Sequence, residues 1–146
     1  MTAWSCFDLV KTVEREKENF GPQVIFTHHS GDLNVDHRRT FQAVLTATRP
    51  MKAEEVRCLI TFETPSSTEW QAADDPRPFR PNLYLPVREE DVEAKCEGME
   101  AYTFESRSYP HPRSPQALRA LARRHGVSMG AEYAEAFTLV RMAAEA

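Results

Sequence analysis

The sequence predicts an α/β fold with a mostly parallel sheet, and three observations point to it. Segments with helical periodicity and short apolar segments follow each other in the order helix, strand, helix, strand. The two clearest apolar segments, residues 24–26 and 56–62, are predicted to be buried strands, and the first shows no polar alternation, which is typical of parallel strands covered on both faces. The length of 146 residues and a hydrophobic share of 41% suffice for one domain with its own core.

Charge and cysteine content exclude several classes of protein. The chain carries 18 Lys and Arg against 22 Asp and Glu, whereas general nucleic-acid binders present a basic surface. No apolar segment reaches the roughly 20 residues that span a bilayer, and the first residues lack the pattern of a secretory signal. Three widely spaced cysteines argue against a disulfide framework. We therefore expect a cytoplasmic protein with no transmembrane segment and no nucleic-acid partner.

Two helix–strand pairs are predicted in the first part of the chain. The first helix ends where Gly21 and Pro22 interrupt its pattern of apolar residues, and the second ends before Pro50. A polar loop rich in histidine separates the first strand from the second helix. The predicted elements are helices over residues 4–20 and 37–48 and strands over residues 24–26 and 56–62.

The second part begins with a proline-rich loop. Four prolines lie in this loop, residues 63–81, and long irregular loops of this kind often border binding sites. Further on, Ser114 is a typical N-cap and Pro115 a typical first helical residue, and the helix that they begin is expected to end at Gly126. The predicted elements are a strand over residues 82–85 and helices over residues 89–102, 115–126 and 131–143.

The number of strands is low for a sheet. Two or three strands are predicted, whereas sheets usually have about four to six, and the chain opens on a helix where α/β chains usually open on a strand. We therefore expect that the N-terminal strands of the fold are missing.

The side chains best suited to chemistry lie between residues 27 and 39. This segment contains three of the five histidines and two aspartates. It follows a predicted strand and leads into a helix, which is where open parallel sheets bind ligands. Imidazole and carboxylate are ligands of catalytic zinc, which takes three protein side chains. His37, on the first turn of the helix, is a candidate ligand, and Asp36 could orient an imidazole or a water molecule.

Structural roles remain open for the same residues. Asp36 could simply cap the helix, and Asp32 and Asn34 are residue types common in loops. The spacing of the histidines also matches no generic zinc motif. The residues alone therefore support a metal or anion site only as a hypothesis.

Four segments in order resemble the PIG-L/LmbE-type deacetylases, and the resemblance covers nearly the whole chain. These zinc-dependent enzymes remove acetyl groups from N-acetylglucosamine-containing substrates and related amides. The resemblance implies a Rossmann-like, three-layer α/β/α domain over residues 1–146, truncated at its N-terminal end. The segments are residues 27–38, 62–70, 79–84 and 109–114, followed by an alanine-rich segment over residues 134–141.

The resemblance also implies roles for single residues. His37 matches the third zinc ligand, Asp36 matches the carboxylate that accompanies it, and His29 matches a histidine of the pocket wall. Asn34 stands where many relatives have a histidine that stabilises the oxyanion, and an amide can donate a hydrogen bond there without a positive charge. His111 lies in a turn that borders the pocket of the related enzymes, although it could equally be a turn residue fixed by two prolines.

Trp70 lies in the proline-rich loop. Its ring could stack on the face of a sugar, or it could be a half-buried anchor of the proline-rich loop.

The family's His-Pro-Asp-Asp-Glu motif has no counterpart in this sequence. In the family this motif supplies two zinc ligands and the general base. The resemblance therefore implies a zinc-dependent hydrolase of an N-acetylated sugar that has little or no activity as this isolated chain. The alternative is a non-catalytic remnant, or a sugar-binding or assembly module, that kept the pocket wall. An incomplete sheet would also leave an open edge that favours a homo-oligomer.

Overall fold

The computed structural model describes residues 6–143, which form four helices and four strands of an α/β fold. The predicted α/β class is confirmed, and the first seven predicted elements each correspond to an observed one, with residues 4 and 5 of the first helix outside the described residues. Helices α1 to α4 cover Cys6–Phe20, Val35–Ala47, Glu89–Ala101 and Pro115–Met129. Strands β1 to β4 cover Val24–His28, Cys58–Phe62, Leu83–Val87 and Tyr133–Met142.

The four strands form one mixed sheet in the order β1-β2-β4-β3. Strand β1 pairs in parallel with β2, so that Val24 lies opposite Cys58 and His28 lies opposite Phe62. Strand β3 instead pairs antiparallel with β4. The expectation of a mostly parallel sheet therefore holds for the β1–β2 pair and is wrong for the β3–β4 pair. The Rossmann-like, three-layer arrangement stays a prediction.

The last element differs in kind from its prediction. The sequence predicts a helix over residues 131–143, but Tyr133–Met142 form strand β4. Backbone pairing with β3 brings Ala134 opposite Pro86 and Ala136 opposite Tyr84. These contacts with a strand from an earlier part of the chain outweigh the helix propensity of the alanine-rich sequence, since propensity is worth less than about 1 kcal/mol per residue.

Helix α4 is longer than predicted. The sequence predicts an end at Gly126, whereas the helix continues to Met129 and stops at Gly130. Gly130 has a φ of 67° and lies in the left-handed region that glycine adopts without a steric penalty. Ser114 caps the start of the helix by accepting a hydrogen bond from the N–H of Ala117, as predicted.

The chain divides into two compact units. The first comprises Met1–Arg80 and Thr138–Ala146, and the second comprises Pro81–Phe137. In the first unit, α1 packs against α2 through an apolar cluster of Val10, Ala43 and Ala47, with Leu9 and Val13 beside it. In the second unit the cluster consists of Val92, Ala122 and Tyr133, with Val87 beside it.

None of the helices in the described part of the chain is both long enough and apolar enough to cross a membrane.

Candidate functional site

A loop over residues 29–34 joins the carboxyl end of β1 to the first turn of α2 and lies entirely in the first unit. Asn34 is the N-cap of α2, and its side-chain oxygen accepts a hydrogen bond of 2.9 Å from the N–H of Asp36. The predicted position of His37 on the first helical turn is therefore confirmed. The alternative in which Asp36 caps the helix is wrong, because Asn34 has that role.

Two histidine rings stack at this end of the sheet. The ring centroids of His28 and His37 are 4.0 Å apart and their planes are inclined by 19°. Phe62, at the end of β2, packs on His28 with a centroid distance of 5.0 Å. Burial lowers the pKa of His28, the neighbouring His37 lowers it further, and Asp32 opposes both effects. A neutral ring of His28 is thus favoured at neutral pH.

A buried carboxylate lies beside this pair. Asp32 is 0% exposed, and its Oδ1 accepts a hydrogen bond of 2.8 Å from the N–H of Asn34. Its Oδ2 accepts a hydrogen bond of 3.1 Å from the hydroxyl of Thr68. Oδ1 also lies 3.1 Å from Nδ1 of His37, a close polar contact without the alignment of a hydrogen bond. The carboxylate nearest to the His37 ring nitrogen is therefore that of Asp32.

Asp36, which the resemblance pairs with His37, has an exposed side chain. Its carboxylate is 80% exposed and lies 3.8 Å from the guanidinium of Arg39 on the next turn of α2. An exposed ion pair of this kind holds the carboxylate only weakly, so Asp36 can still contact a ligand.

The proline-rich loop packs against the loop over residues 29–34. Arg77 donates a hydrogen bond of 3.1 Å to the carbonyl oxygen of Ser30, and the amide of Gln71 donates one of 2.9 Å to the carbonyl oxygen of Gly31. The contact is close at Gly31, where an added Cβ would lie 2.0 Å from the carbonyl oxygen of Arg77. The proline-rich loop therefore packs directly against the loop over residues 29–34, and its role in bordering a binding site stays a prediction.

His29 takes part in this packing of the two loops. It is 8% exposed, its Nε2 lies 2.9 Å from the carbonyl oxygen of Arg77, and its ring meets Phe79 edge-on at 5.3 Å. These contacts join the loop over residues 29–34 to the proline-rich loop, so His29 has a structural role. Its expected place in the wall of a pocket is a separate prediction.

The remaining predicted residues lie on other segments. Trp70 is on the proline-rich loop and is 53% exposed. His111 belongs to the second unit, where its Nδ1 accepts a hydrogen bond of 3.1 Å from the N–H of Arg113. The functional roles of His37, Asp36, Asn34, His29, Trp70 and His111 all stay predictions.

The local sequence does not indicate that Asp32 is buried beside His37. A Gly-Asp pair in a polar segment is typical of a turn, which gives no reason to expect a fully buried carboxylate. Its partner Thr68 lies 36 residues further along the chain, so no local pattern reveals the contact.

The described residues do not fit a complete zinc site. Within residues 6–143, no group of three His, Cys, Asp or Glu side chains is arranged to hold a metal ion, whereas catalytic zinc takes three protein ligands. His37 could be one of the three.

Two solved structures share the fold. The conserved protein TT1542 from Thermus thermophilus superposes with a TM-score of 0.68 at 16% sequence identity, over 95% of this chain and 61% of that chain. The A40926 pseudoaglycone deacetylase Dbv21 superposes with a TM-score of 0.65 at 22% identity, over 97% of this chain and 60% of that chain. This chain thus spans about 60% of the length of each.

No protein-family model matches the sequence, and no curated protein is significantly similar to it. At these identities the likeness to the two structures is one of fold alone.

Proposed function

We propose that this chain is part of a PIG-L/LmbE-type zinc-dependent de-N-acetylase that hydrolyses the acetamide of an N-acetylglucosamine-type substrate. The observation that carries the proposal is the position of His37 beside a buried carboxylate, at the carboxyl end of a parallel strand pair, in a fold shared with a deacetylase. Ligands bind at this end of parallel sheets. The sequence segments that resemble the family add support. The proposal includes a cytoplasmic location, for which the low cysteine content is the argument.

Activity would require more than the described residues. Since these residues hold no group of three metal-binding side chains, a zinc centre would need ligands from outside residues 6–143. We therefore expect the chain alone to bind zinc weakly and to have little or no deacetylase activity.

The second candidate function is a sugar-binding or assembly module without catalysis. The absence of a three-ligand group within residues 6–143 favours this candidate. Both candidates include a sugar pocket, and neither predicts turnover by this chain. A lack of activity therefore cannot separate the two.

The first experiment measures acetate release from N-acetylglucosamine derivatives with added zinc, for the wild-type chain and for His37→Ala. We expect no turnover above background from either protein. Turnover by the wild-type chain that His37→Ala abolishes would contradict the expected inactivity and would show that the chain forms the whole catalytic centre.

The second experiment tests the pocket by NMR titration of the ¹⁵N-labelled chain with N-acetylglucosamine. We expect shifts of the amide signals of residues 28–37, and weaker shifts with glucosamine, which lacks the acetyl group. If neither sugar moves these signals, the sugar pocket that the deacetylase proposal and the sugar-binding alternative share is wrong, and only the assembly role is left.

A further inference from the structure

We propose that Asp32 is a positioning residue that fixes the neutral His37 ring as one tautomer, with the proton on Nδ1 and a free lone pair on Nε2. The role of this lone pair in a sugar pocket rests on the proposed function. The tautomer itself does not.

The carboxylate of Asp32 is held rigidly. It is 0% exposed, and each of its oxygens accepts a hydrogen bond, one from the N–H of Asn34 and one from the hydroxyl of Thr68. The carbonyl oxygen of Asp32 accepts a further hydrogen bond of 2.6 Å from Arg38. Because the backbone and both oxygens are tied, the carboxylate cannot turn away from His37.

The proton position on His37 follows from the 3.1 Å that separate its Nδ1 from Oδ1 of Asp32. An unprotonated Nδ1 would bring its lone pair close to an anionic oxygen, in a position that is buried from water. Electrostatic repulsion is strong at such a separation when solvent screening is weak. A proton on Nδ1 replaces this repulsion by attraction, whether or not the angle is ideal for a hydrogen bond.

The second ring nitrogen is then fixed as well. A neutral imidazole has one N–H and one acceptor nitrogen, so a proton on Nδ1 leaves Nε2 as the acceptor. The ring cannot tilt freely, because it stacks on His28 with an interplanar angle of 19°. In the proposed sugar pocket, His37 would therefore present an acceptor nitrogen of fixed direction.

Asp36 provides a matched control. It precedes His37 in the sequence and carries the same charge, but its carboxylate is 80% exposed. Solvent screens an exposed charge, so Asp36 should not influence the tautomer.

The experiment is long-range ¹H–¹⁵N NMR of the histidine rings in the free chain at about pH 8, where an ordinary imidazole is neutral. We expect the signals of the Nδ1–H tautomer for His37 in the wild-type chain and in Asp36→Asn. In Asp32→Asn, which keeps the size of the side chain and removes its charge, we expect a shift toward the Nε2–H tautomer. If Asp32→Asn does not fold, Asp32→Ser takes its place, since a serine hydroxyl can still accept the bond from the Asn34 N–H.

Three results would overturn the inference. They are an Nε2–H tautomer in the wild-type chain, a ring that carries both protons at this pH, or a tautomer that stays unchanged in the charge-free variants of Asp32. Shifts with N-acetylglucosamine combined with an Nε2–H tautomer would refute this inference alone. The expected tautomer without any response to sugar would refute the proposed function alone.

Discussion

Gly31 lies at the closest approach of the two loops that build the candidate site, and it has no room for a side chain. An added Cβ would lie 2.0 Å from the carbonyl oxygen and 2.8 Å from the Cβ of Arg77. We expect Gly31→Ala to force the loops apart and to lower the free energy of unfolding by about 1–3 kcal/mol, the usual cost of overpacking. Urea unfolding followed by circular dichroism measures the change.

Gly98 is the matched control for that substitution. It lies inside α3, and an added Cβ would meet no heavy atom within 4 Å. Gly98→Ala should therefore stabilise the chain, by about 0.5–1 kcal/mol, because alanine is the better helix former. Equal unfolding free energies for Gly31→Ala and the wild-type chain would show that the loops can separate without cost.

Single residues also show where sequence reasoning ends. His37 could be placed on the first turn of a helix because the helix start is encoded locally, by polar residues followed by apolar periodicity. The burial of Asp32 could not be foreseen, because it depends on Thr68 and therefore on the folded proline-rich loop. Asn34 shows an intermediate case, since either Asn34 or Asp36 has a side chain suited to capping.

At the scale of elements, the prediction succeeded for segments whose local pattern agrees with their surroundings. Strand β2, with three buried residues in sequence, was recognisable from its continuous apolar pattern. Strand β4 was not, because its first half contains Ala134, Glu135 and Ala136, which favour a helix. Its strand conformation arises from the pairing with β3, which no local pattern encodes.

An ion pair joins α1 to the segment before β2. Lys17 donates hydrogen bonds to the carboxylate of Glu54 and to the carbonyl oxygen of Ala47, and the Glu54 side chain is only 8% exposed. Burial acts to raise the pKa of Glu54, but the hydrogen bonds from Lys17 and from the N–H of Val56 outweigh it, and the pKa lies below its ordinary value of 4.5.

The lowered pKa fixes the sign of a pH dependence. The ionised carboxylate stabilises the fold fully above pH 4.5, and this contribution is lost as the pH falls through the lower pKa of the folded state. We expect Glu54→Gln to reduce the unfolding free energy at pH 7 by about 1 kcal/mol, as is typical for a charged hydrogen bond. The difference from the wild-type chain should shrink below pH 4.5. Thermal unfolding across this pH range measures it.

The control is Glu16→Gln on the exposed side of α1, where the carboxylate and its partner Arg15 are 48% and 66% exposed. Exposed pairs contribute little, so this variant should unfold like the wild-type chain. A pH-independent difference for Glu54→Gln would mean that the effect comes from packing and not from the charge.

At the scale of the whole molecule, the fold is shared with two structures at only 16% and 22% identity. At so low an identity most individual residues differ although the fold is shared. The fold is therefore a weaker guide to the reaction than the side chains at the carboxyl end of β1.

The edge of the sheet gives the last prediction. Within the described residues β1 pairs only with β2, which leaves its other edge open. Val24 and Phe26 are 48% and 49% exposed there, and no charged residue lies between Val24 and His28. Natural edge strands usually carry charges that prevent pairing with another chain.

We therefore expect the chain to self-associate through the β1 edge as its concentration rises, as measured by sedimentation velocity, and Phe26→Lys to reduce the association. Phe104→Lys is the control, because Phe104 is 87% exposed but lies in the loop after α3 and not in β1. This variant should associate like the wild-type chain. Equal association of all three proteins would mean that the β1 edge does not mediate it, and a wild-type chain that stays monomeric would mean that this edge is protected in solution.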